Sequence, residues 1–369
     1  MGDVGRTLVY LREAEALAAA LDDPRRLGLV SNFLSFHYHF MGMHEQAITA
    51  AQRALALATT SGDGVLQAQA NEHLGIASQA QGDYRRAIAC FGQTVAFFDG
   101  TRHRERFGHV FLPAAQARAY LAWCHAELGT FAEGRPFGEE GLQIAEAVAH
   151  SGSLVRAYWG LGLLAFRQGD LSMALPRLER AVGLCQNAGF PALFVRMAAT
   201  LGAAYTLAGR VADAVPLLTQ AMAQATAVER LDVQNVCRLP LGEAQLLAGH
   251  LGEAQTLAEQ ALMFAREHQE RGNQAYALLL LGDIAVRRDP PEGGPAAAHY
   301  RQALTLAEEL GMRPLQAHCR RGLGTLYAGL DQWEQARMEL GTARALYQAM
   351  DMTFWLPQVE AVLAQAEER

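Results

Sequence analysis

The chain contains no lysine: all 31 of its basic residues are arginine. A phosphate-binding loop that sets a lysine on the phosphates, and Schiff-base chemistry that needs a lysine amine, are therefore not encoded. Cysteine is scarce. Cys90, Cys124, Cys185, Cys237 and Cys319 lie far apart, form no C-x-x-C pair and each fall inside a helical pattern. They read as small, reduced core residues of a cytoplasmic protein rather than a disulfide or zinc framework. Long apolar runs are missing too: the longest uncharged stretch, 27–44, carries Ser31, Asn32, His37, Tyr38 and His39 and is poorly suited to a bilayer. The start, Met1-Gly2-Asp3-Val4-Gly5-Arg6, has no basic region before an apolar run and no Ser or Thr at position 6, so no targeting or myristoylation signal is visible. Charge of neither sign is concentrated: 38 acidic against 31 basic residues give −7, interspersed along the chain. Nucleic acid and membrane are therefore not expected partners, since phosphate binding needs a gathered cationic face.

What the chain has in abundance is alanine, leucine and a repeated pattern. Leu161-Gly162 is followed by Gly169-Asp170, Ala174 and Ala181. Leu201-Gly202 leads to Gly209, Ala214 and Ala221, and Leu241-Gly242 to Gly249, Ala254 and Ala261; Leu281-Gly282 comes at the same forty-residue step. A fixed period of this size built from helical patterns is the signature of a solenoid. With only 12 prolines and a hydrophobic content of 51%, helix propensity is high nearly everywhere. The expectation is an all-α, right-handed superhelix of antiparallel helix pairs. It has about eight repeats of about forty residues, at 25–62, 64–100, 109–150, 153–189, 191–229, 231–270, 272–311 and 313–350. Small residues recur because two helices approach to about 8 Å only where the crossing carries Gly, Ala or Ser. Gly62, Gly152, Gly189, Gly272 and Gly311 are expected to end second helices.

Five places depart from the rhythm. An amphipathic stretch at 4–22, with Leu8, Leu11, Ala14, Leu17 and Ala18 on one face, has no partner helix before it and reads as an unpaired second helix. That suggests a longer parent chain, or an apolar face that docks on another copy. Between Gly75 and Ala122 the step lengthens to 47 residues, with a basic surplus at 99–108 carrying Arg102, Arg104 and Arg106. The following helix holds Gly134, Gly138 and Gly141, at a cost of roughly 2–3 kcal/mol relative to alanine unless another backbone approaches closely. A loop at 288–295 interrupts the seventh repeat, and 353–369 reads as a polar-faced cap.

The Leu-Gly pair, Gly-Asp turn and following Ala positions resemble the tetratricopeptide repeat (TPR), with a period longer than the usual 34. Stretches such as Ala307-Glu308-Glu309-Leu310-Gly311-Met312-Arg313-Pro314-Leu315 and Met350-Asp351-Met352-Thr353-Phe354-Trp355 resemble the C-terminal repeat region of bacterial multidomain proteins. There, a class III adenylate/guanylate cyclase domain and an AAA-type ATPase precede the repeats. The resemblance implies a cytoplasmic signalling arm that binds a protein or peptide and carries no catalytic residues.

In repeat phase, the first helices offer Phe36, His39, Glu72, Trp123, Arg156, Trp159, Phe166, Arg167, Arg196, Glu243, Asp283, Arg287, His318 and Arg321 to a concave wall. Trp123, Arg156, Trp159, Phe166, Arg167 and Arg196 make its middle aromatic and cationic, which suits a peptide with acidic and apolar side chains. The alternative is that both tryptophans pack between repeats and the arginines form a solvated face. His37-x-His39 does not suggest a metal, because residues two apart on a helix diverge and no third ligand is placed. No nucleophile turn or G-x-S-x-G is present, so neither an enzyme nor a cofactor is expected.

Overall fold

The computed structural model describes residues 4–227 and 231–367. Among them the regular structure is helical, and consecutive helices pack as antiparallel pairs. Helix α1 (Val4–Ala20) precedes the pairs α2 (Pro24–Phe40) with α3 (His44–Ser61), α4 (Gly64–Gln81) with α5 (Tyr84–Phe98), and α6 (Pro113–Leu128) with α7 (Phe131–Val148). Next come α8 (Ser151–Gln168) with α9 (Leu171–Ala188), and α10 (Pro191–Leu207) with α11 (Val211–Thr226). The short α12 (Leu231–Gln234) leads into α13 (Arg238–Leu247) with α14 (Leu251–Glu267). The last pairs are α15 (Arg271–Val286) with α16 (Gly293–Leu310) and α17 (Arg313–Gly329) with α18 (Trp333–Ala349), followed by α19 (Leu356–Glu367).

Local chemistry sets these boundaries. Asp23, Asp63, Asp83 and Asp170 each accept a hydrogen bond from the backbone N–H three residues on, capping α2, α4, α5 and α9. Gly82, Gly129 and Gly169 close α4, α6 and α8 in the left-handed region. Outer helices bury columns of small residues, such as Ala47, Ala51, Ala54 and Ala58 on α3 and Ala254, Ala258, Ala261 and Ala265 on α14. Leu-Gly pairs work the same way from the inner side: a Cβ on Gly202 or Gly324 would collide with Leu218 or Leu340 of the paired helix. The glycines of α7 are required by packing as well. A Cβ at Gly134 would lie 2.6 Å from His125 Cβ, and one at Gly138 2.6 Å from Leu161 Cδ2.

Two sequence expectations are corrected. Gly152 and Gly272 do not end second helices; they lie in the first turns of α8 and α15, against Phe111 and Tyr84, while Ala149 and Gln269 take the positive φ before them. The segment at 288–295 is shorter as a loop, because α16 begins at Gly293. Helix α1 packs on the first helix that follows it, α2, as α3 packs on α4 and α5 on α6, with Leu8 and Leu11 against the Leu34–Tyr38 cluster, Ala18 buried, and Arg12 donating to Tyr38 Oη (2.5 Å). Its other face leaves Val9, Tyr10 and Leu17 exposed, as is Leu21 in the turn that follows.

The coil is tight enough for its later repeats to rest on its earlier ones. Helix α4 touches α15, α6 touches α17, and α2 touches α12. Turns meet along the same seam: His44 Nε2 stands 3.5 Å from Glu270 Oε1, and His268 Nδ1 donates to Gly42 O (3.2 Å). Gly82 abuts Leu310 and Gly272, Gly129 abuts Met350 and Pro314, and Gly169 abuts Phe354 and Trp355. One apolar cluster accordingly joins Tyr84, Phe91 and Tyr120 to Leu278, Met312 and Leu315.

Candidate inner-wall site

First helices line the inner wall, and α6 is its most enclosed element, with every residue buried except the half-buried Trp123. Aromatic rings run along and behind this wall: Phe91 of the outer helix α5 stacks on Tyr120 (5.1 Å), Tyr120 on Trp123 (5.8 Å), and Trp123 meets Trp159 edge-on (5.2 Å). Trp159 lies behind it, 1% exposed, with Nε1 donating to Thr200 Oγ1 (2.9 Å). A buried indole with its N–H satisfied is a packing element between repeats. Phe166 is half-buried, with the Arg167 guanidinium 5.5 Å from its ring.

Two of the three expected arginines are engaged by acids from other helices. Glu127 Oε1 accepts from Arg167 Nε (3.1 Å) and Trp123 Nε1 (3.0 Å), and its Oε2 accepts from Tyr276 Oη (2.7 Å). The Arg167 guanidinium also lies 4.3 Å from the Tyr276 ring, so α6, α8 and α15 are braced together. Burial pushes the Tyr276 hydroxyl well up. Arg196 donates to Asp232 O (3.1 Å), faces Asp232 Oδ2 at 3.6 Å and lies 5.7 Å from the Trp123 ring. Further along, burial raises the Glu243 carboxyl to about 7 against the pull of Arg167, and raises Asp283, which accepts from Tyr300 Oη (2.6 Å).

Arg156 differs. Its guanidinium sits between the Phe111 and Tyr120 rings (5.3 and 5.7 Å), Nη1 reaches Tyr120 Oη at 3.4 Å, and Nε is buried without a hydrogen-bond partner. Beside it is a polar group that repeat phase alone did not assemble. Glu72 is fully buried; its Oε1 accepts from Gln116 Nε2 (2.6 Å), and its Oε2 stands 3.9 Å from His109 Nδ1. Burial raises the Glu72 carboxyl, against the pull of His109, the Gln116 hydrogen bond and Arg156. Glu72 Oε2, Gln116 Oε1 and His109 Nε2 are buried and unpartnered, like Arg156 Nε. Next to Glu72, His73 donates from Nδ1 to Asn32 O (3.1 Å), and burial holds it neutral, its pKa lowered to about 3.

Glu72 is the one member of this group that stood out in the sequence. Gln116 carried no signal beyond its place on a first helix, and His109 lies in the long connection, 99–112, between α5 and α6. That connection is held down by Phe107 against Phe98 (5.2 Å), by Gln69 Nε2 donating to Phe107 O (3.4 Å), and by Leu112 N donating to Ser153 Oγ (2.9 Å). Among the described residues no three His, Cys, Asp or Glu side chains are grouped to hold a metal ion, and no helix is long and apolar enough to cross a membrane.

The class is a helical-repeat protein, an all-α TPR-like solenoid whose inner wall carries its buried polar chemistry. Residues 26–99 match the family described as "Tetratricopeptide repeat". Among solved structures, the chain is similar to the Rap conjugation gene regulator of plasmid pLS20 in complex with the Phr* peptide, with a TM-score of 0.60 and 12% identity over 95% of this chain and 97% of that one. It is also similar to a Rap protein complexed with competence and sporulation factor, with a TM-score of 0.59 and 16% identity over 77% and 76% of the two chains. A third is the Signal Transduction ATPase with Numerous Domains protein with a tetratricopeptide repeat sensor from Pyrococcus horikoshii, with a TM-score of 0.50 and 14% identity. That likeness spans 99% of this chain but 54% of the other. At these identities the likeness is one of fold. No curated protein matches in sequence.

Proposed function

We propose that this solenoid is a non-catalytic regulatory or sensor module of a bacterial cytoplasmic signalling protein, and that it binds a peptide or protein segment along its inner wall. The observation that carries this reading is the set of buried, unpartnered hydrogen-bonding atoms on Glu72, Gln116 and Arg156 beside the Tyr120 and Trp123 rings. Buried polar groups are normally satisfied, and orphans gathered on a concave wall suit an occupant. Trp123, Arg156, Phe166, Arg167 and Arg196 would line the path, with Trp159 as buttress. The Rap structures, one of them in complex with the Phr* peptide, and the repeat sensor of the ATPase lend support at the level of fold. A preceding cyclase and ATPase is the matching arrangement for a sensor arm, and the reading frame upstream of the Met1 codon tests that part. The wall is tested with a panel of acetylated heptapeptides on the full chain. Binding of the tightest peptide should fall at least ~10-fold in Arg156→Gln with helicity unchanged, as for a lost charge-assisted hydrogen bond; unaltered affinity would reject the site.

A second reading rests on a different observation. Val9, Tyr10 and Leu17 on α1, Leu21 in the turn after it, and Leu29 and Phe33 on α2 are exposed apolar side chains close in the chain, and they suit self-association. Sedimentation over a wide concentration range should then reveal a dimer that Leu17→Glu dissociates. A monomeric mass throughout would remove this reading.

A further inference from the structure

We propose that Glu72, Gln116 and Arg156 form a subsite for a neutral side-chain carboxamide, that of an asparagine or glutamine in the bound segment. The inference deepens the inner-wall reading and rests on it. Charge is not what the site calls for: the Glu72 carboxyl, whose burial works against ionisation, already faces His109 from the 99–112 connection and feels Arg156 from α8. A cation or anion brought into so dry a place would find no free counter-charge and would be costly to desolvate. Hydrogen bonds are what the site lacks. Glu72 Oε2 and Gln116 Oε1 are open to a donor and Arg156 Nε to an acceptor, and His109 Nε2 is unpartnered beside them. A primary carboxamide offers two N–H donors and a carbonyl acceptor on a planar group. A carboxylate offers no donor and an ammonium no acceptor. Phe111, Tyr120 and the methylene groups of Arg156 supply the flat apolar surroundings such a group tolerates.

The experiment uses the tightest heptapeptide of the panel and the full chain. Each position in turn carries Gln, Asn, Glu, Lys or Ala, and affinity is read by titration calorimetry. One position should prefer Gln or Asn over both Glu and Lys by at least ~10-fold, a discrimination set by leaving buried polar groups unpaired. Glu72→Gln should erase most of that preference, as should Gln116→Met, which keeps the volume and serves if the first variant folds poorly. Binding without a carboxamide preference at any position would overturn the subsite and leave the inner-wall reading standing. A preference that survives both substitutions would also overturn it. If no peptide of the panel binds, the inner-wall reading fails and this inference falls with it.

Discussion

Single arginines on the inner wall behave according to partners that lie far away in the chain. Arg167 stood out by repeat phase as a free clamp for a carboxylate, yet Glu127 and Tyr276, which share 2.7 Å and 149 residues of separation, already hold it. Arg196 is similarly engaged by Asp232. The residue with measurable consequence is Glu243, whose carboxyl burial raises to about 7 from the ordinary 4.5. A carboxyl whose folded pKa is raised favours the folded state fully below about 4.5, and that advantage is lost as pH climbs through 7. Glu243→Gln removes the ionisation. We expect the melting temperature of the parent to fall between pH 4.5 and 8 more steeply than that of the variant. At pH 8 the variant should be the more stable by roughly 1–2 kcal/mol, a figure reduced from the full linkage value because the side chain keeps some solvent contact. Parallel melting curves for the two proteins across that range would reject the assignment, and with it the view that desolvation outweighs the attraction of Arg167.

Helices and their crossings were legible because their causes are local. A Gly-Asp turn stops one helix and caps the next, and the left-handed glycine at 82 or 169 with its following aspartate does so within two residues. Small residues at fixed steps reported where helices cross, down to Gly134 and Gly138, whose open side is filled by His125, Leu164 and Leu161. Legibility failed where a local rule has two readings. Gly152 and Gly272 looked like helix stops, but their service is to admit Phe111 and Tyr84 against the first turns of α8 and α15. Pro136, Pro176 and Pro216 recur at the forty-residue step inside α7, α9 and α11, each at the sixth position and exposed. On the exposed side of an outer helix the missing backbone donor leaves a carbonyl where solvent can reach it, which is where a helix tolerates proline. Of the proposed site, repeat phase supplied Glu72 and Arg156. It could not supply their meeting with Gln116 and His109, because His109 belongs to an irregular connection without a repeat position, and Gln116 comes from the next pair.

At the scale of the whole molecule the seam changes how the solenoid should respond to damage. An open repeat array touches only its neighbours, so a local lesion loosens adjacent repeats and little else. Here Trp355, buried against His318 (4.7 Å) and Tyr347 (5.7 Å), also lies over Gly169 in the turn between α8 and α9. Met350 sits likewise on Gly129 between α6 and α7. Trp355→Ala opens a cavity whose cost is about 3–5 kcal/mol. If the seam joins the two parts of the coil, the loss should be felt on both sides of it. Hydrogen–deuterium exchange should then quicken in 165–174, nearly two hundred residues upstream, as well as in α18 and α19. Leu218→Ala makes the control, because Leu218 is equally buried but packs between α10 and α13 with no seam contact; its effect should stay within those repeats. Faster exchange confined to α17–α19 in the Trp355 variant would mean that the seam is contact without coupling. Coupling, in contrast, would give a segment seated on the inner wall of the early repeats a mechanical route to the last ones, since filling a space between α4, α6 and α8 strains the same helices that carry Gly82, Gly129 and Gly169 to the seam.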